Sequence, residues 1–184
     1  FIYFSTFHVY GDCRGEITED SPTRPYHPYA ATHRAAEDMV RFYQHYKNMD
    51  TLTLRLSNSF GYPMDSGVNR WTLVFNDLCR QAMTSGEMVI KSSGKQQRDF
   101  ISLHDVAATV DHFLFKNSKK WDDGLFNLGG DCSLSILEVA KTIATVYEKK
   151  YGKPVPIQIA GKDNGEHYSP VHFNIDKLKN TGFR

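Results

Sequence analysis

The 184-residue chain has few cysteines, no long apolar run and almost no net charge. Its cysteines, Cys13, Cys79 and Cys132, are odd in number and form no Cys-x-x-Cys pair, so neither a disulfide framework nor a zinc finger is predicted. A reducing cytoplasm is the expected compartment. No apolar stretch approaches the length of about 20 residues that spans a bilayer, so a membrane is not an expected partner. A net charge of +1 argues against nucleic acid as a partner.

The chain also lacks a glycine-rich turn of the form Gly-x-Gly-x-x-Gly, which in other proteins holds the pyrophosphate of a dinucleotide. No metal site is predicted either. His8, Cys13, His27 and His33 fall in one region, but their spacing matches neither a helical i, i+4 pair nor a finger pattern. With 40% hydrophobic and 23% charged residues, the composition is that of an ordinary globular protein with one substantial core.

Hydrophobic periodicity predicts alternating strands and helices. A strand over residues 1–6 is followed by a long loop over 11–28, a helix over 29–47 and a strand over 51–57, which ends in turn residues at 58–63. This order favours a right-handed crossover in a parallel sheet. Further helices are predicted over residues 71–84, 102–116 and 135–150, further strands over 88–91, 98–102, 124–130 and 154–159, and a last helical turn over 174–180.

Polar side chains suited to proton transfer cluster at the first strand and the first helix. The strand ends in Ser5 and Thr6, and Tyr29 and His33 lie one turn apart on the same face of the helix. A phenol has an ordinary pKa of about 10, so it acts as a base near neutral pH only when a neighbouring charge lowers that pKa.

These residues resemble two motifs of the extended short-chain dehydrogenase/reductases, specifically the NAD-dependent sugar-nucleotide epimerase/dehydratase family. Ser5-Thr6-Phe7-His8-Val9-Tyr10-Gly11 is similar to the family's strand, and Tyr29-Ala30-Ala31-Thr32-His33 is similar to its Tyr-x-x-x-Lys helix. The resemblance implies an α/β fold: part of a Rossmann-like parallel sheet plus a small α/β substrate-binding lobe. Residues 1–62 would form the Rossmann-like part and 63–184 mainly the lobe, with 98–130 returning to the sheet. A nucleotide-binding half is expected before Phe1.

The resemblance also implies roles for individual residues, with NAD or NADP as cofactor and a nucleotide-activated sugar as substrate. Thr6 would bind the reacting substrate oxygen, Tyr29 would be the general acid and base, and His33 would stand where the family's lysine holds the cofactor ribose. The remaining implied contacts are to the cofactor from Leu56 and Ser59 and to the substrate from His8, Asn58, Asn69 and Arg98. Asn58 is alternatively a turn residue, and Arg98 alternatively an ion-pair partner of Asp99 or Asp105.

Three departures from the family pattern refine the expected function. His33 replaces the lysine, and Phe7 and His8 replace two acidic residues of the dehydratases, which disfavours dehydration. Residues 163–166, with Lys162 before them, replace a late Arg-x-Gly-Asp. The expected function is an epimerase or 4-ketoreductase of bacterial surface-polysaccharide synthesis, and a homodimer through the helix starting at Tyr29 is expected. The alternative is a catalytically impaired binding or interaction module.

Overall fold

The computed structural model describes residues 1–12, 14–65, 67–116, 121–162, 165, 170–183, and only the backbone of Lys116. The strands are β1 (Ile2–Thr6), β2 (Gly15–Ile17), β3 (Leu52–Leu56), β4 (Asn58–Phe60), β5 (Met88–Ile90), β6 (Gln97–Ser102), β7 (Leu125–Leu128), β8 (Ser133–Ser135), β9 (Ile157–Ile159) and β10 (Val171–Phe173). The helices are α1 (Pro28–Lys47), α2 (Val74–Thr84), α3 (Leu103–Asp111), α4 (Ile136–Tyr151) and α5 (Asp176–Lys179), with a 3-10 turn at Phe7–Tyr10 and a π turn at His112–Lys116. No helix among these described residues is long and apolar enough to cross a membrane.

The chain forms two compact units. The first comprises Phe1–Ser59, Asp99–Cys132 and Val171–Arg184, and the second comprises Phe60–Arg98 and Ser133–Pro170. The chain therefore passes from one unit to the other within β4 and again within β6. The sequence assigned the last residues to the second lobe, whereas here they belong to the first unit, because Leu178 of α5 is fully buried in that unit's core.

A parallel sheet with strand order β1-β3-β7 lies at the centre of the first unit. Ile2 pairs with Leu52, and Thr53 pairs with Leu125. The central strand β3 has a parallel neighbour at each edge, and its residues 52–55 are buried, which is the usual environment of a parallel strand. The core around it consists of Leu52, Leu54, Ile101, Val106, Phe113, Phe126, Leu128 and Leu178.

Two short strands extend the first unit beyond the predicted elements. β2 lies inside the segment predicted as a loop, and β10 pairs with it in parallel through Val171↔Gly15 and Phe173↔Ile17. These strands cover a second core cluster made of Val9, Tyr10, Ile17, Phe173 and Ile175. Strands of three residues carry little periodicity of their own, so the sequence did not reveal them. β4 likewise occupies a segment predicted as a turn.

The second unit contains α2 and α4 packed beside the parallel pair β5 and β9. α4 begins with the predicted capping box, in which Ser135 Oγ accepts the Glu138 N–H and the Glu138 carboxylate accepts the Ser135 N–H. It ends at Gly152, whose φ of 68° is left-handed. The α/β class predicted from the sequence is confirmed by this architecture.

Candidate active site

The turn after β1 fixes the hydroxyl residue of the first motif. Thr6 is 5% exposed, and its Oγ1 accepts the His8 N–H at 3.3 Å, which caps the 3-10 turn. Gly11 ends the turn at a left-handed φ of 77°, where a Cβ atom would collide with the Arg24 carbonyl oxygen. Only glycine fits both constraints. The turn buries Val9 completely and leaves His8 half-buried at the surface of the site.

The beginning of α1 presents the second motif. His27 is the N-cap residue, its Nδ1 accepts the Ala30 N–H at 3.3 Å, and Pro28 occupies the first helical position. Tyr29 follows with 54% of its side chain exposed. His33 lies one turn later, and its ring meets the Tyr29 ring edge to face with 4.6 Å between centroids. The helix therefore presents a phenol that a ligand can reach.

Histidines surround Tyr29 on more than one side. The His8 ring lies 6.1 Å from the Tyr29 ring and 5.3 Å from the His27 ring, and the His27 and Tyr29 rings stack at 6.0 Å. The structure thus brings the predicted residues His8, Tyr29 and His33 together. His27 joins them, although the sequence had suggested it only in a rejected metal site. Pro28 could have identified it, because proline at the first helical position places the cap one residue earlier.

His33 has a partner on β1 that the sequence did not reveal. The Tyr3 hydroxyl lies 2.8 Å from His33 Nδ1, and the two ring centroids are 5.8 Å apart. Burial raises the pKa of Tyr3, and the charges of Glu37 and Tyr29 raise it further. The Tyr3 phenol therefore keeps its proton at neutral pH.

A buried ion pair lies deeper between α1 and the sheet. Arg55 of β3 donates to both carboxylate oxygens of Glu37, at 2.9 and 2.7 Å, and Ser5 Oγ donates to the same carboxylate at 2.6 Å. Burial alone would raise the pKa of Glu37, but the hydrogen bonds and charge of Arg55 outweigh it and lower that pKa. The ion pair therefore stays charged and joins three elements of the first unit.

The same arginine fixes the tyrosine of the Val-Tyr-Gly segment. Arg55 Nη1 donates to the Tyr10 hydroxyl at 2.9 Å, and that hydroxyl donates to Asn127 Oδ1 at 2.5 Å. Burial raises the pKa of Tyr10 to about 12, although Arg55 opposes the shift. The Asn127 amide donates in turn to the carbonyl oxygens of Ile17 and Asn174. Tyr10 thus belongs to the structural support of the turn.

The other predicted residues of the first unit lie along β3 and β4. Asn58 Nδ2 donates to the Asp99 carbonyl oxygen at 2.9 Å, so its amide nitrogen is engaged in the fold. Leu56 packs against the core cluster, and Ser59 is half-buried. The proposed contacts of these three residues to cofactor or substrate remain predictions.

The predicted substrate residues of the second unit lie near a cleft. Arg98 is exposed and lines a cleft of about 540 Å³, together with Trp71, Arg80 and Lys91. The Arg80 guanidinium lies 5.9 Å from the centre of the Trp71 ring. Asn69 is exposed in the segment before α2, and its Oδ1 accepts the Trp71 N–H at 3.5 Å. Cationic groups beside an indole ring suit a phosphorylated aromatic ligand.

Some residues considered in the sequence lie outside the part of the chain that the structure describes, namely Cys13, Asp163, Asn164 and Glu166. Within the described part, no group of three or more His, Cys, Asp and Glu side chains could hold a metal ion.

A family model supports the resemblance carried by these motifs. Residues 1–129 match the model described as the NAD dependent epimerase/dehydratase family. The chain belongs to this family. The prediction made from the motifs at Thr6 and Tyr29 is confirmed at that level, and the site described above contains the segments that carry both motifs.

Individual relatives are similar over most of the chain or all of it. The dTDP-glucose 4,6-dehydratase of Xanthomonas campestris pv. campestris is 28% identical over 97% of this chain and 51% of its own length. The dTDP-D-glucose 4,6-dehydratase of Homo sapiens is 31% identical over 78% of this chain and 39% of its own length. The crystal structure of the UDP-glucuronic acid 4-epimerase from Bacillus cereus, in complex with UDP-glucuronic acid and NAD, is 25% identical with a TM-score of 0.78, and the match covers 100% of this chain and 55% of that one. The chain therefore spans about half the length of these relatives.

Proposed function

We propose that the protein containing this chain is an NAD(P)-dependent epimerase or 4-ketoreductase of a nucleotide-activated sugar. The observation that carries the proposal is the exposed phenol of Tyr29, placed at the start of α1 with His33 one turn away and His8 opposite. The Bacillus cereus relative, whose crystal structure is a complex with NAD and UDP-glucuronic acid, supports this ligand class.

The residues present fit the ribose end of a nicotinamide cofactor. Tyr29 is exposed, and because Tyr3 occupies His33 Nδ1, the Nε2 edge of the imidazole is the one that can bind a ligand. Tyr29 and His33 would hold the cofactor here. When bound, the nicotinamide ring accepts and returns a hydride at a sugar carbon.

The protein's part in the reaction is the movement of one proton. As the phenolate, Tyr29 would accept the proton of the substrate hydroxyl during hydride transfer, and as the phenol it would return that proton in the reverse step. Thr6 uses its oxygen to accept the His8 N–H, so its hydroxyl hydrogen can donate to the same substrate oxygen. Phe7 and His8 provide no carboxylic acid beside Thr6, which favours epimerisation or ketoreduction over dehydration.

The cleft of the second unit suits the nucleotide part of the substrate. Arg98 and Lys91 offer cationic groups to a diphosphate, and Trp71 offers a ring on which a base can stack. A cytoplasmic location, expected from the cysteine content, and a role in bacterial polysaccharide synthesis, implied by the family resemblance, remain predictions.

Replacement of His33 by lysine distinguishes the enzyme hypothesis from the alternative of a non-catalytic binding module. The protein containing this chain is incubated with UDP-glucuronic acid or dTDP-glucose and NAD, and the sugar products are identified by NMR. An enzyme weakened by the histidine gains turnover or NAD affinity in His33→Lys, because the ammonium charge stabilises the Tyr29 phenolate. If neither the wild type nor His33→Lys forms product, and both have the same NAD affinity, the result supports a non-catalytic binding module instead.

A further inference from the structure

We infer that Tyr3 is a positioning residue for His33: its hydroxyl donates to Nδ1, holds the imidazole in the Nε2–H tautomer and directs that N–H towards the cofactor ribose. The inference rests on the proposed function for the ribose contact. The contact between Tyr3 and His33 is a hydrogen bond of 2.8 Å, and the inference assigns Tyr3 as its donor.

The position of Tyr3 on β1 explains why its side chain reaches α1. Tyr3 and Ser5 are two residues apart, so their side chains lie on the same face of the strand. Ser5 donates to Glu37, and Glu37 lies one helical turn after His33. Two side chains of one strand face therefore bond to consecutive turns of one helix, which fixes the His33 ring relative to Tyr29.

The direction of the hydrogen bond follows from the chemistry of the two groups. A neutral imidazole has one donor and one acceptor nitrogen, and the hydrogen bond made by one nitrogen decides which tautomer is present. Among the described residues, His33 Nδ1 is the only hydrogen-bond partner of the Tyr3 hydroxyl, so we assign the single hydroxyl hydrogen to this contact. Nδ1 is then the acceptor, and the remaining hydrogen sits on Nε2.

This arrangement depends on histidine. A lysine ammonium group has three donors and no acceptor, so it could not receive a hydrogen bond from Tyr3. The His33 and Tyr29 rings meet edge to face with 4.6 Å between their centroids, which keeps the imidazole beside the exposed phenol. Tyr3 therefore lets His33 act as a fixed, single hydrogen-bond donor in place of the lysine.

The tautomer is measured directly by nitrogen-15 NMR of His33 at alkaline pH, in the wild type and in Tyr3→Phe. We expect a single Nε2–H form in the wild type and a mixture of both tautomers in Tyr3→Phe. Tyr26→Phe, which removes an exposed hydroxyl just before α1, is the matched control and should leave the spectrum unchanged. A wild-type imidazole with its hydrogen on Nδ1, or a tautomer unchanged by Tyr3→Phe, would overturn the inference.

The ribose contact is tested by NAD affinity in the same proteins. Tyr3→Phe should weaken NAD binding about three- to tenfold, the range that one neutral hydrogen bond supports. In a His33→Lys background the same substitution should have no effect, because the acceptor is gone. An equal loss in both backgrounds would show that Tyr3 is merely structural. If Tyr3→Phe changes the His33 tautomer but neither the wild type nor any variant binds NAD, the Tyr3–His33 hydrogen bond is supported and the proposed function is overturned.

Discussion

His33 differs from the lysine expected at its position because an imidazole offers an acceptor as well as a donor. The structure uses that acceptor for Tyr3, on the strand that also carries Thr6. The substitution therefore comes with a supporting contact, which a residue that had merely lost its function would not need.

The buried pair of Glu37 and Arg55 makes a prediction about stability. Glu37→Ala would leave the Arg55 guanidinium buried with no carboxylate to bind, so we expect a loss of about 3–5 kcal/mol in the free energy of unfolding. Equilibrium unfolding in urea measures this difference.

The neighbouring residue Asp38 is the matched control on the same helix. Asp38 pairs with Arg34 at 2.8 Å, but its side chain is 57% exposed. Asp38→Ala should therefore change the free energy of unfolding by about 0.5 kcal/mol or less. Equal losses for the two variants would show that the Glu37 pair contributes no more than a surface contact.

At the scale of secondary-structure elements, the helices and strands that could be predicted are those marked by residues within or next to the element itself. The helix at Tyr29 has a proline at its first position and a regular apolar period, and α4 has its capping box, so both could be predicted. The strands β2 and β10 could not, because each is a three-residue strand next to turn-forming residues and depends on its partner far along the chain. The roles of Tyr3 and Arg55 could not be predicted either, because their contacts join elements that are distant in the sequence.

The capping box of α4 can be tested on its own. Ser135→Ala removes the oxygen that accepts the Glu138 N–H, so we expect a loss of about 1 kcal/mol in the free energy of unfolding. Thr142→Ala is the control, because this exposed hydroxyl bonds only to the carbonyl of Glu138 in its own helix. It should be neutral or slightly stabilising, since alanine favours helix. Similar unfolding curves for both variants would contradict a contribution from the cap.

At the scale of the whole molecule, the first unit is assembled from three separate segments of the chain. The motifs could be predicted because they lie in one of these segments, residues 1–59. The return of the last residues could not, because it depends on long-range contacts, namely the pairing of β10 with β2 and the burial of Leu178. Tyr29 lies in the first unit, and the cleft beside Arg98 lies in the second.

An apolar stripe on α1 supports the proposed homodimer. Met39, Phe42, Tyr43 and Tyr46 are exposed and recur at helical spacing along one face. Phe42→Asp should therefore convert a dimer into a monomer, because it places a charge in the contact. Val146→Asp, at an exposed apolar residue of α4, is the control and should leave the dimer intact. Analytical ultracentrifugation measures the oligomeric state of the wild type and of both variants. A monomeric wild type would contradict the expected dimer.

The role of Tyr29 is the central claim, and the rate of sugar-nucleotide conversion tests it most directly. The protein containing this chain is assayed with NAD and with UDP-glucuronic acid or dTDP-glucose, as wild type, Tyr29→Phe and Tyr26→Phe. Tyr29→Phe should reduce the rate about a hundredfold or more, the usual contribution of a general acid or base. Tyr26→Phe should leave it unchanged. A Tyr29→Phe rate equal to that of the wild type would contradict proton transfer by this phenol.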